Sequence, residues 1–502
     1  MRFTSLIVEL IRARPRLVFW LAVSIQSGLW LLLPLLFYAS PPRDLAMVLA
    51  IGREHQVGSE FGPPLAFWLA DLAFRLAGNH VAGVYLLAQL SAVLTFWALH
   101  QLARAMVGAQ HAVIAVLLTL TVTVFAAPGV EFGPLLLLRP LWALLLLHLW
   151  QIIGEGRRNA WFALSIDVGL LLLAAPSAAP LLLLPIGFAL VHPRGRRALA
   201  SVDPLYALLV IAVLVLPYGI WLLRGGVVPL PELPAPDQIA ARALHWGELL
   251  IALLVPLAGI AALAALNLKQ LGGSAEPPSL HRPPVDPLAR QFVYFFALAP
   301  AVAGSVLGAL FGFDQVVGGS GVALLLAGLA VVILSGDVIY LRRQRLLRVA
   351  WGVAVAAPAA VLITLIVVQP WTGGAERDTS LPARDIARFF SDSFERRTNK
   401  PLEAVAGDPH LAALIGLGPT RPHWLRDAAP ESTPWLTLDE FAKVGGVVVW
   451  RASDTVGLPP AEIAKRFPDL VPEIPRAFEW MIAGRQPLLR IGWAIVRPKP
   501  AP

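Results

Sequence analysis

Apolar runs of roughly twenty residues, each closed by a short polar stretch, dominate the first three-quarters of the chain. Runs of that length match the hydrocarbon thickness of a bilayer when helical. They predict eleven spans: 17–38, 80–102, 111–128, 133–152, 161–176, 179–192, 203–223, 245–267, 291–312, 320–341 and 348–369. The fifth and sixth are short and joined by "APSAAP", so they form one pair or two separate spans. Between the first two runs, residues 39–79 keep a helical stripe without spanning length. Leu45, Val48, Leu49 and Ile51 form one stripe, and Leu65, Trp68, Leu69, Leu72 and Leu76 a second. Helices of this kind lie along a membrane interface. After about residue 370 the pattern changes. "LPARDIARFFSDSFERR" has helical amphipathicity, whereas "GGVVVWR" and "LLRIGWAIV" read as strands, so 371–502 is expected to be a small α/β domain behind a 1–370 membrane domain.

Composition agrees. The 502-residue chain is 57% hydrophobic and only 14% charged. A soluble domain carries about 25% charged residues. With no cysteine, disulfides and thiolate metal sites are excluded. The net charge of +8 resides in alternate loops. Arg104, Arg157, Arg158, Arg194, Arg196, Arg197, Lys269, Arg282, Arg290 and Arg342 to Arg348 all fall on one side, which predicts a cytoplasmic N-terminus. No nucleic-acid-binding signature is present. An odd number of spans then places 39–79 and the C-terminal domain in the periplasm. The first run is too long for a signal-peptide core and reads as a retained helix. The "GDP" at 407–409 is a turn signal, not a nucleotide site.

The candidate chemistry clusters on that outer side. Asp44 follows the first span; it is either a general base for an acceptor hydroxyl or a cap on the next helix. Glu60 precedes Pro63 and Pro64, which stiffen the start of the following helix. Arg53 and His55 are candidate phosphate ligands. Glu131 lies in a short outer loop. Arg139 is a guanidinium inside an apolar helix, a costly placement that marks function or pairing. His245 and Glu248 open the eighth span and would help wall a polar cavity with Glu131, Pro63 and Pro64. Asp167 and Asp337 are expected to pair with cytoplasmic arginines. His55 and Glu60 alone make no metal site, so no cofactor is expected.

These residues, in this order, resemble the GT-C integral-membrane glycosyltransferases. The branch is that of bacterial proteins like the dolichyl-phosphate-mannose-protein mannosyltransferases and the lipid A aminoarabinose transferase. Asp44, the run "LAMVLAIGREHQVGSEFG", then Pro63, Pro64, Leu65, Phe67, Trp68 and Leu69 carry the resemblance, with "PGVEFGPLLLLRPLWALLLLHLW" further on. It implies an inverting transferase in the bacterial inner membrane. Such an enzyme takes a sugar from a polyprenyl-phosphate donor to a lipid, polysaccharide or protein acceptor. Asp44 matches the family base, and Glu60 the family's acidic residue before the Pro-Pro step. Two positions depart: Leu45 stands where the family has a second acid, and Gly62 where it has a lysine that meets phosphate. Arg53 or Arg139 would take over that role. A transporter or flippase, or an inactive scaffold of the same shape, is the alternative.

Overall fold

In the computed structural model, residues 3–127, 129–224, 234–268, 277–372, 377–426, 435–482, 484–485 and 487–499 are described. Helix α1 (Phe3–Ala13) leads into α2 (Pro15–Phe37), and two short helices follow, α3 (Arg43–Arg53) and α4 (Leu65–Leu76). The bundle continues with α5 (Ala82–Thr119), α6 (Thr123–Ala126), α7 (Pro134–Ile153) and α8 (Ala160–Ala174). Next come α9 (Ala178–Leu181), α10 (Leu183–Val191), α11 (Pro193–Leu199), α12 (Asp203–Leu223), α13 (Ile239–Leu254) and α14 (Ala258–Leu266). Strand β1 (Ser279–His281) precedes α15 (Pro287–Phe311), α16 (Gly319–Ala323) and α17 (Ala327–Leu334). Strand β2 (Val338–Tyr340) pairs antiparallel with β1, and α18 (Gln344–Thr372) closes the bundle.

Among the described residues, six of these helices and the continuous 239–266 run of α13 and α14 are long and apolar enough to cross a membrane, seven in all, or eight counting the pair 178–191 and 193–199, bent by 107°. Helices Ala160–Ala174 and Gly319–Leu334 are shorter and apolar. The chain is a multi-pass membrane protein. Every expected span has a helical counterpart, but two of them are joined without a loop. Helix α5 is broken at Gly108, whose φ of 79° and ψ of 167° leave helical space. The chain doubles back there: Phe96, before the break, meets Phe125 of α6, after it, at 5.8 Å. A φ of that sign is cheap only for glycine.

Helix α19 (Ala383–Thr398) opens the C-terminal domain, followed by β3 (Ala404–Gly407), α20 (Pro409–Ile415), β4 (His423–Arg426), α21 (Leu438–Val444), β5 (Gly446–Arg451), α22 (Ala461–Arg466), β6 (Glu473–Phe478) and β7 (Leu489–Val496). The five-stranded sheet runs β4-β3-β5-β7-β6. Strand β3 is parallel to both neighbours, and β7 is antiparallel to both of its own. The two runs read as strands are adjacent, with Val449 opposite Trp493. Helix α19 lays Phe390 and Phe394, both fully buried, on the sheet face that carries Phe478 and Trp493. Asp408 accepts from the amides of His410 and Leu411 and so caps α20, which is the turn expected at 407–409.

Helix α3 is more enclosed than its stripe suggests, whereas Trp68, Leu72 and Leu76 of α4 remain exposed. Leu45, Ala46, Val48, Leu49, Ala50, Ile51 and Gly52 of α3 are all buried, because α3 lies between the bundle and α20. At Gly52 any Cβ would stand 2.4 Å from the carbonyl of Phe67, so glycine sets the closest approach of α3 to α4.

Candidate functional site

The chain leaves α2 at Tyr38 and is stitched at once to the C-terminal domain. The amides of Ala39 and Ser40 donate to Thr379 O at 2.9 and 3.2 Å, and the Ser40 hydroxyl donates to Asp378 O. Four residues later Asp44 sits in the first turn of α3, exposed, with Pro42 rather than Asp44 at the N-cap and no side-chain cap bond. The capping alternative therefore does not describe it. It instead lies in the first turn of α3, where the macrodipole favours negative charge.

Two other carboxyls share this region. Partial burial holds the Glu131 carboxyl above its ordinary range, and the charges of Asp44 and Asp378 push it the same way. Asp378 also meets His410 Nδ1 at 3.5 Å and Arg451 at 3.9 Å. His410 is almost fully buried at the foot of α20. Burial keeps its imidazole neutral; Asp378 and Asp408 oppose that, and Arg43 and Arg451 reinforce it. Asp44, Glu131 and Asp378 thus form an acidic patch walled by the bundle, α3 and the domain. No group of three potential metal ligands exists among the described residues.

The other end of α3 carries a different cluster. Arg53 and His55 lie about 15 Å along the helix axis from Asp44, at 1.5 Å per residue. Arg53 pairs with Glu54 at 3.3 Å. Burial lowers the Arg53 guanidinium from its usual range, and Glu54 opposes that. His55 (φ 48°) meets Asp71 at 3.2 Å. Asp71, with a side chain only 1% exposed, also binds Arg75 at 2.7 Å and Arg421 of the domain, while His423 meets Glu54 at 2.8 Å. Arg53, Arg75, Asn79 and Arg421 line an open cavity of about 470 Å³. Both candidate phosphate ligands are therefore paired with the two acids, Glu54 and Asp71, that tie the first loop to the domain.

Glu60 is exposed at the tip of a tight turn closed by Ser59 and Gly62, which exchange backbone hydrogen bonds at 3.2 and 3.0 Å. Its neighbour Phe61 packs on Trp424 at 6.3 Å. Pro63 and Pro64 are buried, with Pro64 at the N-cap of α4. The two departures have local causes. Leu45 is fully buried, so an acid there would be desolvated. Gly62 has φ 116°, and a Cβ would stand 3.2 Å from Pro176.

Arg139 lies elsewhere, six residues into α7. It packs against Gly321, where a Cβ would come within 2.4 Å of Nε, and its only hydrogen bond among the described residues is to Val124 O at 3.4 Å. Ser91, Thr95 and Phe96 share its small cavity. No described carboxylate lies within ion-pair reach of it. His245 and Glu248 are used on each other at 3.2 Å, and His245 also meets Phe313 O at 2.9 Å. His245 thereby ties α13 to the turn after α15; residues 225–233, which precede α13, lie outside the described residues. Asp337 meets Arg282 at 3.5 Å, as expected, but Asp167 pairs with His148 rather than an arginine. Sequence reasoning missed Asp378, His410, Arg421 and His423. "GDPH" offered the turn, but nothing in it points across to α3.

This arrangement of bundle, covered first loop and small C-terminal domain is the GT-C membrane fold. The model of the dolichyl-phosphate-mannose-protein mannosyltransferase family matches residues 62–221. ArnT from Cupriavidus metallidurans in the apo state superposes with a TM-score of 0.57 at 14% identity, covering 98% of this chain and 100% of that one. The same protein bound to undecaprenyl phosphate gives 0.55 at 14%, covering 98% and 99%. The Archaeoglobus fulgidus oligosaccharyltransferase gives 0.45 at 13%, covering 82% and 62%. No curated protein matches the chain in sequence. The resemblance read from the first loop holds at the level of fold.

Proposed function

We propose that the chain is an inverting glycosyltransferase. It moves a sugar from a polyprenyl-phosphate donor to an acceptor hydroxyl at the face carrying the α/β domain. The observation that carries this reading is the exposed Asp44 at the start of α3, beside Glu131 and Asp378, on a GT-C fold. Asp44 takes the acceptor proton as the acceptor oxygen bonds to the anomeric carbon. The bond from that carbon to the phosphate oxygen breaks on the opposite face, and polyprenyl phosphate leaves with the electron pair. Direct displacement inverts the anomeric centre. Arg139, which has no described carboxylate partner, supports a role as the cation for donor phosphate better than Arg53 or His55, which are already paired. ArnT is a fold relative whose bound form holds undecaprenyl phosphate, which supports the donor class. The acceptor is a lipid, polysaccharide or protein hydroxyl, and the site is periplasmic on the loop-charge reading. Glu60 and the His245–Glu248 pair would then serve acceptor orientation and scaffolding respectively.

The test is sugar transfer from a panel of polyprenyl-phosphate sugars to membrane acceptors, with wild type beside Asp44→Asn. Transfer lost in the variant with donor binding retained is the expected result. Equal transfer by both proteins refutes the role of Asp44. Arg139→Ala should lose donor binding itself, and unchanged binding removes Arg139 from the phosphate site.

A further inference from the structure

A large cavity lies at the opposite end of the bundle from Asp44. It encloses about 780 Å³ between α1, α2, α5, α14, α17, β2 and the start of α18. Helix α18 has 29 residues, so this cavity lies roughly 40 Å from the domain end of that helix. On the loop-charge reading that is the cytoplasmic leaflet. Its wall is apolar, with Leu21 and Ile25 of α2 at 47% and 68% exposure, so it opens sideways to lipid. Trp351 closes the inner end by donating to Leu117 O at 2.8 Å.

The rim differs from the wall. Arg342 and Arg348 line it, and among the described residues no Asp or Glu does. A small framework holds Arg342. Its amide donates to Asn267 Oδ1 at 3.1 Å, its guanidinium to Asn267 O at 3.3 Å, and its charge sits 5.3 Å from the Tyr340 ring centre. Arg348 is exposed and makes no hydrogen bond or ion pair among the described residues. Gln344, between them on the rim, has a buried side-chain carbonyl with no donor. An apolar slot of ligand size, with two guanidiniums and one unfilled acceptor at its mouth, has the chemistry of a lipid with an anionic headgroup.

We propose that this cavity binds an anionic glycerophospholipid. Its acyl chains fill the slot, its phosphate lies between Arg342 and Arg348, and a headgroup hydroxyl donates to Gln344. The site is separate from the transfer site and does not depend on the transferase reading. It makes the packing of α18, the helix that leads to the α/β domain, responsive to the lipid of the far leaflet.

The experiment uses the full chain in mild detergent, with added phosphatidylglycerol, phosphatidylcholine or undecaprenyl phosphate. Native mass spectrometry reads retention, and thermal unfolding reads stabilisation. Phosphatidylglycerol should be retained and should stabilise saturably, phosphatidylcholine much less. Arg348→Gln, on an exposed side chain, should weaken retention about fivefold, the effect of one basic residue against an anionic lipid. Ala264→Trp, which fills the slot, should remove it. Equal retention of the two phospholipids, or no change in Arg348→Gln, would overturn the headgroup assignment. Preferential retention of undecaprenyl phosphate would overturn the diacyl assignment.

Discussion

Asp71 is the buried charge on which the docking of the C-terminal domain turns. Asp71→Asn keeps the volume and removes the charge. Of its three partners, Arg75 and His55 are about half exposed, at 49% and 52%, and return to water when released. Exposed pairs of that kind contribute about 0–1 kcal/mol each. Arg421 differs: its side chain is 12% exposed, its Nε has no partner, and it stacks on Phe74 at 4.9 Å. Leaving such a cation unpaired costs about 3–5 kcal/mol. Asn can still accept one hydrogen bond, so the net loss should be about 3 kcal/mol. The assay is amide exchange in 418–426, whose protection includes Arg421 N to Gly418 O and His423 N to Glu403 O. If exchange there proceeds by local undocking, about 3 kcal/mol is roughly a hundredfold acceleration. Arg75→Gln is the control and should accelerate exchange less than about fivefold. Asp71→Asn no faster than Arg75→Gln would refute the claim that burial of Arg421, rather than the number of ion pairs, sets the cost.

The remaining predictions concern charge and backbone at the same interface. Glu131 binds its proton more tightly folded than unfolded, so it takes stability away as pH rises from about 4.3 through its raised folded value. Glu131→Gln should therefore gain stability over wild type across that climb in thermal unfolding, and in an Asp44→Asn background the gain should shrink. His410 has the opposite sense: the native imidazole resists protonation, so stability falls as pH drops below about 6.5. His410→Gln should flatten that fall, and an unchanged slope would exclude the residue. Leu45→Glu should lower stability by several kcal/mol because the site is fully buried, and a loss under about 1 kcal/mol would refute our account of why the family acid is absent.

What the sequence showed was whatever repeats locally. Spans emerge from apolar length, and β5 and β7 from β-branched runs flanked by turns. The return at Gly108 was legible as two spans, because the bilayer limits a straight helix whatever joins the legs. The enclosure of α3 was not legible, since a stripe of Leu45, Val48, Leu49 and Ile51 reads the same against lipid or against α20. Nor were the partners of the first loop. Arg53 looked like a phosphate ligand until Glu54 and Arg421 were placed beside it, and Asp378 and His410 lie in segments with no motif of their own. Pairings across 338 to 369 residues leave no trace in spacing.

Those long separations also set an order in time. The loop that carries Asp44 leaves the ribosome early, whereas Asp378, Arg421 and His423, which hold it, come from the last quarter of the chain. During synthesis the loop waits beside the first helices without its clamp. A polypeptide cut short before the final domain would still insert its spans, yet would leave the acidic patch open on one side. Completion of the chain thus decides whether the acidic patch is enclosed or left open.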